Sequence, residues 1–249
     1  MEGATVSNKG ATPCLNDFWI GRAECRECSA AGGVLFSAVD MQGSGRGVHR
    51  VRTYAVPAGA EILQAGESAE AVFTVRAGYI KLWLAAPDGG ERIVRLLKRG
   101  DVLGLESLVQ RQYSLSAGAV VESRLCRIPI DVINDIKRDD PGLHGELERR
   151  WHVQSARTDQ FVATVVCGPS RLRVLKLLRY LSAFARPDPC PRVSRLDMAA
   201  MLDISSETAS RVIADLKAMG LLQETQQHLM FDESRIAVLV DESQRCERK

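Results

Sequence analysis

The sequence has few aromatic residues and no long apolar run. Phe, Trp and Tyr together make up 5% of the 249 residues. No stretch approaches the roughly 18 apolar residues that a membrane helix requires. The first residues also lack the basic and apolar regions of a secretory signal. The sequence therefore predicts a cytoplasmic protein that does not insert into a membrane.

The cysteines do not form the pattern of a disulfide framework. There are seven of them, an odd number, and they are unevenly spaced along the chain. In a chain with no predicted export signal, such cysteines favour metal or redox chemistry. The composition, with 45% hydrophobic and 26% charged residues, excludes collagen-like and wholly disordered proteins. The formal net charge of +2 excludes no class of partner.

The first half of the chain has the pattern of an all-β domain. Between residues 50 and 129, short runs rich in Val, Ile, Leu, Thr and Tyr alternate with glycine turns such as 65–67 (AGE) and 99–101 (RGD). Turns spaced by roughly ten residues are typical of an antiparallel sandwich or barrel. We assign this β domain to residues 50–140. Residues 1–49 are interpreted as a cysteine-bearing N-terminal arm, in which a cysteine-bearing segment lies between the small, polar residues 1–13 and the glycine-rich residues 41–47.

A long helix is predicted after the β domain, over residues 142–167. We assign residues 141–168 to this dimerisation helix. It follows a short amphipathic helix and ends at Gly168-Pro169. Its side chains recur at alternating three- and four-residue steps, which is the spacing of a coiled-coil seam. We predict that it forms a homodimer, and the alternative is a helix packed on its own domain. The predicted dimer interface consists of Leu143, Leu147, Trp151, Gln154, Thr158, Phe161 and Val165.

The last third of the chain, residues 169–249, has the pattern of a winged helix-turn-helix. A helix over 170–185 precedes a proline loop, and two helical runs then flank a turn at 203–205 (DIS). Gly220 stands where a helix C-cap glycine belongs, and a short hairpin follows it. A helix, a tight turn, a second helix and a wing are typical of proteins that bind double-stranded DNA.

The second of these helices carries the candidate DNA contacts. Ser205 or Ser206 can cap its N-terminus, where free N–H groups suit a phosphate. Glu207, Ser210 and Arg211 share one face, and the fork of Arg211 suits a guanine edge. A solvated i,i+4 ion pair is the alternative for Glu207 and Arg211. The candidate residues are Ser205, Ser206, Glu207, Thr208, Ser210 and Arg211.

Positive charge precedes this helix in the sequence. Between residues 170 and 196, seven basic residues face one acidic residue, Asp188, so the segment carries seven minus one, or +6. Such charge can contact phosphates, although a solvated helix face is also often basic. The seven are Arg171, Arg173, Lys176, Arg179, Arg186, Arg192 and Arg195.

These motifs together closely resemble the CRP/FNR family of bacterial transcription regulators. The resemblance rests on segment 100–104 (GDVLG), the long helix after Pro141 and segment 204–211 (ISSETASR), and it covers roughly residues 25–235. It implies an α+β fold with an N-terminal double-stranded β-helix sensor, a dimerisation helix and a C-terminal winged helix-turn-helix. It also implies a palindromic promoter site and RNA polymerase as a partner. The Glu207-x-x-Ser210-Arg211 pattern is similar to that of the FNR branch, which implies a TTGAT half-site.

The resemblance also bears on the signal that the β domain senses. The cyclic-nucleotide branch holds a phosphate with a Gly-Glu-Leu turn and an Arg-Ser pair. This sequence has Gly104-Leu105-Glu106 and Tyr113-Ser114 at the corresponding places. This sequence therefore lacks the arginine that would pair with the phosphate, and we predict no binding of cyclic nucleotides.

The cysteines suggest a different signal. Cys25 and Cys28 form a C-x-x-C, Cys14 precedes them by eleven residues, and Cys126 lies far downstream. Cys126 matches the distant ligand of FNR-type oxygen sensors, which hold a [4Fe–4S] cluster with four thiolates. Those sensors have a further cysteine where this chain has Val34, so Cys14 would be the fourth ligand. A cluster-free thiol, a zinc site and an unused set of cysteines remain open alternatives.

The hypothesis from sequence is thus an oxygen- or redox-responsive, homodimeric regulator with a [4Fe–4S] cluster. The alternative is a DNA-binding regulator of the same fold that is cofactor-free or controlled by thiols. An enzyme is not expected, because the β domain contains no phosphate loop, nucleophile elbow or grouped His and carboxylate ligands.

Overall fold

The computed structural model describes residues 15–23, 48–86, 89–139 and 141–247. Its N-terminal half consists of two antiparallel sheets that face each other. One sheet has the strand order β1-β2-β9-β4-β7 and the other has β3-β8-β5-β6. The strands are β1 (Trp19–Arg22), β2 (Arg52–Val56), β3 (Glu61–Leu63), β4 (Ala71–Ala77), β5 (Tyr79–Ala85), β6 (Glu91–Lys98), β7 (Val102–Leu103), β8 (Ser116–Ala119) and β9 (Ser123–Pro129).

The strands follow the alternation of the sequence. In β2, Tyr54 and Val56 point into the space between the sheets, while Thr53 and Ala55 lie on the other face. Strands β4 and β5 are joined through Gly78, whose φ of +83° lies in the left-handed region. A Cβ atom there would lie 2.2 Å from Ser123 Oγ, so only glycine fits this close approach.

Six α-helices, a small hairpin and the short 3₁₀ helices Leu15–Phe18, Val48–Arg50 and Leu105–Leu108 complete the described part of the chain. The short helix α1 (Ile130–Asp139) leads into the long helix α2 (Gly142–Thr164). Pro141 precedes α2, as expected for the start of a helix. The remaining elements are α3 (Ser170–Ala185), α4 (Arg195–Leu202), α5 (Ser206–Ala218), β10 (Leu222–Glu224), β11 (Leu229–Phe231) and α6 (Glu233–Glu247).

Three clusters of buried apolar side chains hold these elements together. The first fills the space between the sheets and includes Tyr54, Leu97 and Tyr113. The second lies between the outer face of the five-stranded sheet and helices α1 and α2. The third forms the core of the C-terminal helices and also takes in Tyr79 and Ile93 of the β5–β6 hairpin. The third cluster therefore joins the two halves of the chain.

The predicted α+β fold is confirmed, with a β domain of two sheets, a long helix and a winged helix-turn-helix in that order. Strand β1 and helix α6 were not part of the prediction. Within the described residues, no helix is both long enough and apolar enough to cross a membrane. The N-terminal segment 1–13 and the glycine-rich segment 41–47 lie outside the described residues.

Candidate DNA-binding and sensor sites

Hydroxyl caps set the start of both helices in the helix-turn-helix. Ser194 Oγ accepts a hydrogen bond from Asp197 N at the start of α4. Asp203, with a φ of 56°, ends that helix in the left-handed conformation. Ser205 Oγ accepts from Thr208 N at 3.1 Å, so Ser205 rather than Ser206 caps α5. These local bonds set the angle at which α5 leaves the turn.

Helix α5 presents its predicted DNA-contacting face to solvent. Glu207, Ser210 and Arg211 are all exposed, whereas Val212 and Ile213 on the opposite side are buried in the core. Ser205 is also exposed, and Ser206 and Thr208 are half-buried at the first turn. The predicted residues thus lie together at one exposed end and face of the helix, in the arrangement that a major groove can accept.

The wing is tied to both helices through one carboxylate. Glu224 of β10 accepts from Arg195 of α4 and from Lys217 of α5. Burial opposes ionisation of Glu224, but the hydrogen bonds from Lys217 and Arg195 outweigh it and lower the pKa of its carboxyl group. No motif in the sequence identified Glu224, because its partners Arg195 and Lys217 lie 29 and 7 residues away in the chain.

Much of the predicted basic surface is used inside the domain. Arg171 pairs with Asp215 at 3.3 Å, Arg186 pairs with Glu233, and Arg195 pairs with Glu224. Other members bond to main-chain carbonyls: Arg173 donates to Leu202 O and Lys176 to Cys167 O. The +6 charge of this segment is therefore an overestimate of the charge that is free to meet phosphates.

The predicted dimer seam lies largely against its own chain. Leu143 and Leu147 pack beneath the five-stranded sheet, and Phe161 and Val165 pack into the core of the C-terminal helices. Trp151 is the exception, with 49% of its surface exposed. The neighbouring side chain Val162 is 55% exposed. Spacing correctly indicated an amphipathic helix, but the structure covers most of the predicted seam within one chain.

The two polar residues of that seam also have partners within the chain. The side-chain amide of Gln154 donates to Val102 O at 2.9 Å and is buried. Thr158 Oγ1 accepts from Arg95 Nε at 3.1 Å and donates to Gln154 O. They attach α2 to β6 and β7, which explains polar residues at otherwise apolar positions. The dimer itself stays a prediction.

Cys126 is the one proposed cluster ligand among the described residues, since Cys14, Cys25 and Cys28 lie outside them. It sits on β9, is 3% exposed and belongs to the cluster beneath α1 and α2. Arg76 Nη1 donates to its sulfur at 3.6 Å, and Thr53 Oγ1 lies 3.8 Å from it. The described ranges contain no group of three or more His, Cys, Asp or Glu side chains that could hold a metal ion.

Cys167 and Cys190 have the features of structural cysteines. Cys167 is exposed beyond the end of α2, and Cys190 is buried in the proline loop. Burial, followed by the charge of Glu233, raises the pKa of the Cys190 thiol to about 12. Cys190 is consequently a protonated, packed side chain at neutral pH.

A tyrosine stands where the cyclic-nucleotide branch has its arginine. The hydroxyl of Tyr113 donates to Ala71 O at 2.6 Å, and its ring packs against Gly104. A Cβ atom at Gly104 would lie 2.9 Å from this ring. Tyr113 is buried with Tyr54 and Leu97, so its side chain is part of the barrel core rather than a cation for a phosphate.

Two ion pairs connect the β domain to the helix-turn-helix. Lys81 of β5 pairs with Asp197 of α4 at 2.6 Å, and both side chains are largely buried. Arg92 of β6 pairs with Asp203, at the turn before α5, at 2.7 Å. The β5–β6 hairpin therefore holds the elements that carry the recognition face.

Two family models match the two halves of the chain. The model described as a cyclic nucleotide-binding domain matches residues 54–140. The model described as a Crp-like helix-turn-helix domain matches residues 173–235. Together with the exposed polar face of α5, they define the class of the protein as a DNA-binding transcription regulator.

Known proteins of similar sequence and structure are regulators. The anaerobic regulatory protein of Pasteurella multocida is 23% identical over 167 residues, which cover 65% of this chain and 61% of that protein. The fumarate and nitrate reduction regulatory protein of Vibrio cholerae is 24% identical over 170 residues, covering 66% of this chain and 68% of that protein. The chain thus spans less than two thirds of the length of the first relative and 68% of the length of the second.

The fold is similar to that of FixK2 from Bradyrhizobium japonicum, with a TM-score of 0.63 and 21% identity over 76% of this chain and 96% of that one. The chain belongs to the CRP/FNR family of transcription regulators. The relatives and the structural neighbour named here are transcription regulators and not enzymes.

Proposed function

We propose that this regulator is an oxygen- or redox-responsive homodimer that carries a [4Fe–4S] cluster and recognises a TTGAT-type palindrome. The proposed ligands are Cys14, Cys25, Cys28 and Cys126. The proposed base contacts are Glu207, Ser210 and Arg211, with Ser205, Ser206 and Thr208 at the helix start. RNA polymerase is the proposed partner at the promoter, and cyclic nucleotides are not ligands.

The observation that carries the proposal is the strand register around Cys126. Gly21 of β1 is opposite Thr53 of β2, and Thr53 is opposite Cys126 of β9. Two strand spacings, about 10 Å, separate Gly21 from Cys126. Cys25 follows Gly21 by four residues, which span at most about 14 Å when extended. Cys25 is therefore within reach of Cys126.

The packing of the same segment supports this reach. Ala23 packs against the cluster of side chains that contains Cys126, and its N–H donates to Val51 O at 3.0 Å. Cys25 is only two residues beyond Ala23. When bound, a cluster would supply an oxygen-labile link between the N-terminal segment and the β domain.

The register also suggests how such a link would affect α2. Cys126 is opposite Thr74 of β4, and Thr74 is opposite Val102 of β7. The carbonyl of Val102 accepts the buried hydrogen bond from Gln154 of α2. A shift of β9 at Cys126 would thus reach α2 through two strand contacts and one hydrogen bond. We propose that this contact alters how α2 presents its exposed residues, such as Trp151, to a second copy.

The test is an iron and acid-labile sulfide assay on protein purified without oxygen. Near-equal iron and sulfide, with a visible absorption that bleaches in air and a shift toward monomer, supports the cluster. The variant Cys126→Ala should lose the colour and bind a TTGAT palindrome more weakly. The control Cys167→Ala should match the wild type, because Cys167 is exposed beyond the end of α2.

Colourless protein that binds the palindrome equally with and without air would contradict the cluster. That result would favour the second candidate, a cofactor-free or thiol-regulated member of the same family. The burial of Cys126 beneath α1 and α2 favours this candidate, because a buried cysteine in an apolar cluster is often an inert side chain.

A further inference from the structure

The hydroxyl of Thr74 is buried without a hydrogen-bond partner. Thr74 is fully buried in β4, and among the described residues its Oγ1 is one of three buried side-chain polar atoms that lack a partner. An unpaired buried hydroxyl is costly, and native proteins rarely keep one without a reason such as a bound group or ion.

The position of Thr74 identifies where a bound group would be. Thr74 and Cys126 are directly opposite each other in adjacent antiparallel strands. Side chains at opposite positions lie on the same face of a sheet, with Cβ atoms about 5 Å apart. Thr53 flanks Cys126 from the other neighbouring strand. A threonine thus stands on each side of the buried cysteine.

A cationic donor completes this surrounding. Arg76, two residues beyond Thr74 on the same strand, donates to Cys126 Sγ at 3.6 Å. Val72, Val102 and Ile128 belong to the same apolar cluster as Cys126. One cationic donor to this sulfur, with the unpaired hydroxyl of Thr74 opposite it, suits an anionic group that contains sulfur.

We propose that Thr74 and Arg76 are hydrogen-bonding positioning residues for the group bound through Cys126, and that they set its reduction potential and its resistance to air. The inference rests on the proposed cluster. Hydrogen bonds to the sulfurs of a cluster are among the means by which proteins adjust its potential. Removing a donor disfavours the more negative, reduced state, so the potential becomes more negative.

The test uses the full chain, purified without oxygen, with the variants Thr74→Val and Thr74→Ser. Valine keeps the shape of threonine and removes the hydroxyl, and serine keeps the hydroxyl. We expect Thr74→Val to lower the midpoint potential in a dye-mediated titration and to speed bleaching in air by about tenfold, the factor for one hydrogen bond of about 1.4 kcal/mol. Thr74→Ser should restore both values, and Arg76→Gln should change them in the same direction as valine.

Thermal unfolding of the iron-free protein supplies a second readout. Thr74→Val should raise its melting temperature, because an unpaired buried hydroxyl is replaced by a methyl group. The loaded protein should not gain this stability, since there the hydroxyl has a partner. Thr164→Val is the matched control, because Thr164 is exposed at the end of α2 and donates to Gln160 O.

The outcomes separate this inference from the proposed function. Wild-type protein without iron and sulfide would overturn the proposed cluster and, with it, this role of Thr74. A different result would overturn only the inference about Thr74 and Arg76. In that result the wild-type protein carries iron and sulfide, Thr74→Val has the same midpoint potential as the wild type, and valine stabilises the iron-free and the cluster-loaded protein equally.

Discussion

Helices α5 and α2 are both amphipathic, but they use their predicted faces in opposite ways. In α5, the residues predicted to meet DNA lie exposed on one face. In α2, most residues predicted to meet a second copy are covered by the same chain. Periodicity shows which side chains share a face of a helix, but it does not show what covers that face.

The largest expected effect would test this difference within α2. Leu147→Ala should lower the free energy of unfolding by about 2 to 5 kcal/mol, because it empties part of a packed intrachain core. In the monomer, Trp151→Ala should change it by only about 0.5 kcal/mol. Urea titration at a protein concentration low enough to keep the chain monomeric measures both. Equal losses for the two variants would mean that the faces of α2 are not distinguished as the structure indicates.

The second prediction concerns the exposed face of α5. Arg211→Ala should weaken binding to a TTGAT palindrome by about 1 to 3 kcal/mol, because it removes a proposed base contact. Its binding to a scrambled duplex should change much less. Fluorescence anisotropy at two salt concentrations measures both.

Arg171→Ala is the matched control, because Arg171 pairs with Asp215 within the domain. It should affect both duplexes equally and weakly. A loss of specificity for Arg171→Ala, but not for Arg211→Ala, would contradict the assignment of the recognition face.

The third prediction concerns the contact through which the β domain holds the first helix of the helix-turn-helix. Lys81→Met should weaken the docking of α4 on the β5–β6 hairpin, because it breaks a largely buried ion pair with Asp197. A double-mutant cycle with Asp197→Asn should give a coupling of about 1 kcal/mol in urea unfolding. The more exposed pair of Arg92 and Asp203 should give a smaller coupling. Similar values for both pairs would argue against the importance of burial here.

The smallest expected effect is a pH dependence of the wing. The pKa of Glu224 is lower in the folded protein than in the unfolded chain, so its ionised form stabilises the fold above the unfolded value of about 4.3. This stability should be lost as the pH falls from there through the lower, folded pKa. Glu224→Gln should flatten this part of the stability profile measured by thermal unfolding between pH 3 and 7. An unchanged profile would mean that the bonds from Arg195 and Lys217 contribute little.

The order and type of elements were accessible from short stretches of sequence. The predicted helix over 170–185 coincides with α3 (Ser170–Ala185), and the predicted turn at 203–205 separates α4 from α5. These features depend on apolar spacing, proline and hydroxyl caps, all of which act within a few residues. Helix α6 was missed because polar and charged residues dominate its C-terminal half. Strand β1 was missed because it has only four residues and lies in the segment 1–49, which was interpreted as an arm.

The sequence therefore predicted the family and the fold correctly, together with a polar face of α5 that the structure leaves exposed. Tertiary structure decided which face of α2 is covered, how Glu224 holds the wing, and that Thr74 is opposite Cys126. Those relations join residues far apart in the chain, such as positions 74 and 126 in neighbouring strands. Their cause is strand register and the packing of helices on sheets, which no local pattern of residues encodes.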